Sequence, residues 1–193
     1  MVGTIIFFGV LLWWCLIFAK LEVETEGQDG WAVKLPTTRF HWDGQKLTRR
    51  GFDSAQWMEV DHTTLKGKIL VKYIGVLGGR DFTTYHRMVD LIQLTTGHLV
   101  AWCAFQGLVS WYVIELRAFA FLVLCWSLED TLWFFWNPYF GPKKYKPEYI
   151  PWHAQDWFYF APKGMIMLFG QGILLYGVSI GLPYLISWLK VVF

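Results

Sequence analysis

The sequence predicts an all-α membrane protein: a four-helix transmembrane bundle with a compact extramembrane segment between its first two helices. Three observations predict it. The 193 residues are 55% hydrophobic and 17% charged, whereas a soluble domain is about 45–50% apolar and about 25% charged. Four apolar runs, at about residues 2–19, 88–113, 116–136 and 165–189, approach or exceed the roughly 20 residues that a span needs. Most of the charge, 25 of the 32 charged residues, is gathered between those runs, in segment 20–81 and loop 137–164. The whole chain, 1–193, reads as a single membrane domain.

The first run, Val2 to Ala19, carries no charge. No Lys or Arg precedes it and no A-x-A site follows it, so it reads as a retained span rather than a signal peptide. The second run is interrupted by Gln93, Thr95, Thr96, His98, Gln106 and Ser110. A short turn at 114–117 leads to the third, where Glu115 and Arg117 anchor the helix ends at the far interface. The third stops at Asn137-Pro138, because proline cannot continue a helix interior. The fourth holds Gly170, Gly177-x-x-x-Gly181 and Pro183. Its glycines let another helix come close. Packing within the bundle is the default, and a homodimer or complex-partner seam along Gly177 and Gly181 is the alternative. Pro183 is expected to bend the helix.

With four spans, segments 20–90 and 137–164 share one side. They hold 15 of the 17 basic residues. Lys and Arg collect in cytoplasmic loops, which puts both long loops in the cytoplasm of a multi-pass cell-membrane protein and both termini outside. Within segment 20–81, Glu22, Glu24 and Glu26 alternate with Val23 and Thr25 as in a strand. Ala55–Val60 and Lys68–Val76 also read as strands of a short β-ribbon. Asp81, Thr83 or Thr84 then caps a helix starting near Phe82. The stretch from Trp31 to Arg39 is a candidate lid under the bundle mouth.

Composition excludes several classes. Aromatic residues at 20% and a net charge of only +2 argue against disorder and against nucleic acid as a partner. Cys15, Cys103 and Cys125 lie in apolar runs without C-x-x-C spacing, so they read as buried small hydrophobes rather than a zinc or dithiol motif.

Carboxylates inside a span are costly and need partners. Glu129 and Asp130 precede Asn137-Pro138 by eight and seven residues, roughly 10–12 Å inside the helix end at 1.5 Å per residue. His86 and Asp90 share a face at the start of the second helix. His98, counted from Leu91, reaches a comparable depth, and His153 and Asp156 return in the following loop. The expectation is one cluster near the cytoplasmic mouth. Glu129, Asp130, His86, His98 and His153 are its candidate acid–base groups. Asp90 and Asp156 orient imidazoles, and all seven are candidate ligands of a divalent metal. Lys143, Lys144 and Lys146, with Asn137 and Trp133, are candidates to hold an anionic lipid headgroup.

Three functions compete. The first is a membrane-embedded enzyme on a lipidic or isoprenoid substrate, and the second a non-catalytic subunit or scaffold of a membrane complex. The third, a small transporter, fits least, because no broken-helix repeat is present. The patterns Trp31-x-x-x-Leu35-Pro36-Thr37-x-Arg39, Tyr85-His86, Glu115-Leu116-Arg117, Glu129-Asp130-x-x-Trp133-Phe134-x-x-Asn137-Pro138-x-x-Gly141 and Trp152-His153-x-x-x-Trp157 resemble a group of small uncharacterised prokaryotic multi-pass membrane proteins. The resemblance covers residues 31–157. It implies a membrane location and no particular activity.

Overall fold

A computed structural model describes the chain apart from Asp29, Trp31, Gly44, residues 77–81 and Phe193; for residues 73–76 and Trp152 it describes the backbone alone. The chain is mostly helical and divides into two compact units, Met1–Gly30 with Ile92–Phe193, and Trp31–Leu91. Five helices appear: α1 Val2–Glu26, α2 Leu65–Val76, α3 Thr84–Phe105, α4 Trp111–Trp136 and α5 Lys163–Val192. Four of them, α1, α3, α4 and α5, are long and apolar enough to cross a membrane.

In the larger unit α4 is the central post. Some 56% of its most apolar window is buried, against 28%, 33% and 22% for α1, α3 and α5. The three outer helices therefore turn most of their apolar surface outward, as helices facing lipid do. The main core is Phe7, Leu11 and Cys15 from α1, Ala101, Ala104 and Phe105 from α3, Ile114, Phe121, Leu124 and Cys125 from α4, and Tyr176 from α5. A second cluster at the other end joins Ala19, Val23, Trp133, Phe134, Ile150 and Met165.

Small residues set the seams. A Cβ on Gly97 would lie 3.0 Å from the Ala118 carbonyl. A Cβ on Gly172 would lie 2.6 Å from Leu124 Cγ. Gly177 and Gly181 have open space beside them, so Gly172, and not the predicted pair, makes the close approach within this chain. α5 runs unbroken through Pro183.

The helix boundaries correct the sequence reading in two places. α1 continues to Glu26 and ends where Gly27, at φ 74°, donates its N–H to Val23. Glu22, Glu24 and Glu26 are helical, not strand-like, and Lys20 pairs with Glu24 one turn on at 2.8 Å. The turn between the second and third spans falls at 106–110, not 114–117. Gly107, at φ 76°, takes a left-handed conformation that glycine adopts without strain. Glu115 and Arg117 are inside α4. The stop at Asn137-Pro138 is as expected, with the Asn137 N–H closing on the Trp133 carbonyl at 2.9 Å.

The smaller unit carries an antiparallel sheet in the order β3-β2-β1-β4. Its strands are β1 Arg39–Trp42, β2 Leu47–Arg50, β3 Met58–Glu59 and β4 Phe82–Thr83. Phe40, Leu47, Leu70 and Phe82 form its core. Asp43 closes the β1–β2 turn by accepting the N–H groups of Lys46 at 2.6 Å and Gln45 at 2.8 Å. Those two bonds hold its carboxyl below the usual range.

The stretch predicted as a strand at Lys68–Val76 belongs to α2. The cause is local: the Thr64 hydroxyl accepts the Gly67 N–H at 3.1 Å, a helix N-cap, and Thr64 itself is set by Asp61. The predicted cap of α3 is Thr83, whose hydroxyl accepts the His86 N–H at 3.2 Å. Asp81 and the Trp31 end of the candidate lid lie outside the described residues. A final hairpin, β5 Trp157–Phe158 and β6 Ala161–Pro162, precedes α5.

Candidate functional site

Within the larger unit, the polar residues singled out in the sequence do not gather in one place. They form separate ties, and most ties in the larger unit have one end on α4.

The first is the carboxyl pair. Glu129 is 5% exposed and Glu22, on α1, is 6% exposed. Their side chains meet across the seam between α1 and α4. Oε1 of Glu129 has no hydrogen-bond partner. Asp130, the next residue, is exposed, as the turn of about 100° per residue demands. One helical turn beyond Glu129, Trp133 packs its ring against Gly30. Asn137 is fully buried; its amide donates to the Gly27 carbonyl at 3.2 Å and accepts the Tyr139 N–H at 3.0 Å. Trp133 and Asn137 thus join the end of α4 to the end of α1.

The second tie lies at the opposite end of α4. His98 Nε2 meets Glu115 at 2.9 Å, and the Trp102 indole donates to the other Glu115 oxygen at 3.0 Å. His98 Nδ1 faces the Leu94 carbonyl at 2.8 Å. Glu115 and Glu129 are 14 residues apart on one helix, which is roughly 21 Å. His98 is therefore remote from Glu129, contrary to the expected convergence. The expectation measured depth from Leu91, but α3 begins at Thr84, and its far end is the one that meets Glu115.

The third tie is Arg117. Its guanidinium sits 4.0 Å from the centroid of the Phe105 ring and 5.4 Å from that of Tyr176, and Nε donates to Ser179 at 3.0 Å. Ser127 donates to the Met165 carbonyl at 2.8 Å, and Tyr176 donates to Thr4 at 3.0 Å. Each hydroxyl joins two helices.

The remaining candidates are local. His153 Nδ1 and Asp156 Oδ1 pair at 3.2 Å in the loop. His86 Nδ1 meets the Thr83 hydroxyl at 2.6 Å. His86 and Asp90 belong to the smaller unit by contact. Lys143, Lys144 and Lys146 are exposed, and Lys144 donates to the Tyr139 carbonyl at 2.9 Å. Among the described residues, no three His, Cys, Asp or Glu side chains come close enough together to hold a metal ion.

Sequence reasoning missed two pairings. The Cys15 and Cys125 sulfurs lie 3.7 Å apart, both buried, while Cys103 is exposed rather than buried. No local signal links Cys15 to Cys125 across α1 and α4. Glu22 was findable: Glu22 and Glu26 are four apart, the spacing of one helix face, and both are buried.

These features define a helical protein with four apolar, span-length helices and a small sheet-bearing unit. No protein-family model, no curated protein and no solved structure matches the chain.

Proposed function

We propose that the chain is a non-catalytic membrane scaffold: four helices cross the bilayer around α4, and the extramembrane unit at Trp31–Leu91 carries its dealings with other molecules. One observation carries this reading. The polar groups at the helix seams are spent in pairs that tie α4 to its neighbours: Glu129 with Glu22, Glu115 with His98, Arg117 with Ser179 and Ser127 with Met165. Polar side chains between apolar helices act as glue, because lipid offers them no other partner. The basic bias of segments 20–90 and 137–164 puts those segments in the cytoplasm. Lys143, Lys144 and Lys146 hold the loop at the headgroup level. The stripe of Gly177 and Gly181, open within this chain, is left for a partner helix.

The second reading, an enzyme acting on a lipidic substrate, keeps one supporting observation, the unpartnered Oε1 of Glu129. Comparing lipid extracts separates the two. Cells lacking the chain, cells making it and cells making Glu129→Gln are expected to hold the same lipid species. A lipid that depends on the chain and is not restored by Glu129→Gln would overturn the scaffold reading.

A further inference from the structure

We propose that helix α2 of the Trp31–Leu91 unit docks on the anionic surface of the cytoplasmic leaflet, with Leu65 and Ile69 set between lipid headgroups and Lys66, Lys68 and Lys72 against the headgroup phosphates. The docking rests on the four-span reading above and adds to it what the smaller unit touches. α2 has two apolar faces. Leu70 and Val71 pack one of them into the core formed with Phe40, Leu47 and Phe82. Leu65 and Ile69, four residues apart, share the other. At about 100° per residue that face points away from Leu70 and Val71. Leu65 is 74% exposed and Ile69 60%. Lone exposed aliphatic residues are ordinary. Here two stand one turn apart. Lys68 lies three residues after Leu65, Lys72 three residues after Ile69, and Lys66 flanks them. An aliphatic stripe edged with lysines suits a helix lying in a membrane surface. The lysine stems run along the stripe and their ammonium groups reach the phosphates.

Charge points to lipid as the occupant. α2 carries three lysines and no carboxylate. All three are exposed, and they make no ion pair among the described residues. Asp61, the carboxylate closest to them in the sequence, is engaged by the N–H and the hydroxyl of Thr63, at 2.8 and 2.6 Å. An anionic leaflet supplies both halves of what the face presents, acyl surface for the aliphatic pair and phosphates for the lysines. Its potential favours each lysine near the surface by about fivefold. Both ends of the unit lead into span-length helices, α1 ending at Glu26 and α3 beginning at Thr84. The unit is thus tied to the bilayer at both ends, and docking is an intramolecular step at high effective concentration.

The test places an environment-sensitive dye on the full chain at Ile69→Cys. Cys103→Ala leaves one site for the dye, since Cys15 and Cys125 are buried. The labelled chain is put into nanodiscs of phosphatidylcholine alone, or of equal parts phosphatidylcholine and phosphatidylglycerol. In the anionic discs the dye is expected to shift to the blue and to be shielded from acrylamide, a neutral quencher. In the neutral discs it stays exposed. Raising the salt concentration releases it from the anionic discs, because the attraction is screened. Lys66→Gln, Lys68→Gln and Lys72→Gln together weaken docking by about a hundredfold at the same factor per lysine, which leaves the dye exposed in both discs. The three side chains are exposed, so the triple variant keeps the fold, as circular dichroism checks. Equal shielding in the two kinds of disc, or shielding that survives high salt or the triple variant, overturns the docking. A chain that enters neither kind of disc overturns the docking together with the four-span reading. A chain that enters both with its dye exposed throughout overturns the docking alone.

Discussion

Replacing Glu129 with Ala lowers the unfolding midpoint of the detergent-solubilised chain, whereas Glu129→Gln keeps most of it. Two losses add up in the alanine variant. The bond to Glu22 goes, and interhelical hydrogen bonds in membrane proteins are worth about 0.6 kcal/mol on average and at most about 1.7. The side chain also leaves a void in a seam that holds Cys15 and Cys125 on one side and Trp133 on the other. Each Å³ of unfilled cavity costs about 24 cal/mol. Together the loss is roughly 2–4 kcal/mol. Glutamine fills the same volume, and its NH₂ donates to the Glu22 carboxyl group, so its cost stays below about 1 kcal/mol. Circular dichroism melts of the three proteins give the answer.

Gly172 carries the second large effect. A Cβ there lies 2.6 Å from Leu124 Cγ, 2.8 Å from its Cδ2 and 3.2 Å from its backbone nitrogen. Leu124 is 1% exposed, so it has nowhere to swing. Overpacking of this kind costs about 1–3 kcal/mol, and Gly172→Val is expected at the upper end because its branch adds bulk at the contact. Shortening the neighbour should restore part of the loss, so the double variant Gly172→Val with Leu124→Ala melts above Gly172→Val alone. Among the described residues, a Cβ at Gly177 or Gly181 meets nothing within 4 Å outside its own helix, so Ala there leaves the midpoint where it was or raises it. The contrast locates the α4–α5 seam at Gly172. Gly177→Val destabilising the isolated chain as much as Gly172→Val would contradict it.

The four apolar helices were legible because each is a long run with few charges, and such runs need no tertiary information. What failed was the meaning given to charge at their ends. As interfacial anchors Glu115 and Arg117 would mark helix ends, but inside α4 they are met by His98, Trp102, Ser179 and two rings. The true break, at Gln106 to Ser110, carried a quieter signal in Gly107. In the same way the alternation of Glu22, Glu24 and Glu26 hid a helix face, since positions 22 and 26 match both a period of two and a spacing of four. The strand predicted at 68–76 has a β-like composition, yet the Thr64 cap and the packing of Leu70 under the sheet make it a helix. The β1–β2 hairpin had its signal in Asp43-Gly44 between two aromatic or branched runs.

His98 and Glu129 lie apart for a geometric reason. Depth in a bundle is counted from helix ends, and α3 starts seven residues before Leu91, which moves a position by roughly 10 Å. Pairs such as Cys15 with Cys125, or Glu22 with Glu129, join residues more than a hundred positions apart, and nothing local announces them.

The most direct measurement is a pair of double-mutant cycles on unfolding free energy in detergent, one joining Glu129→Ala with Glu22→Ala and the other joining Glu129→Ala with His98→Ala. If the seam polar groups tie helices in separate pairs, the first cycle gives a coupling of about 0.5–2 kcal/mol and the second lies within about 0.5 kcal/mol of zero. Strong coupling of Glu129 to His98, or none to Glu22, would contradict the account and return these residues to a single shared site.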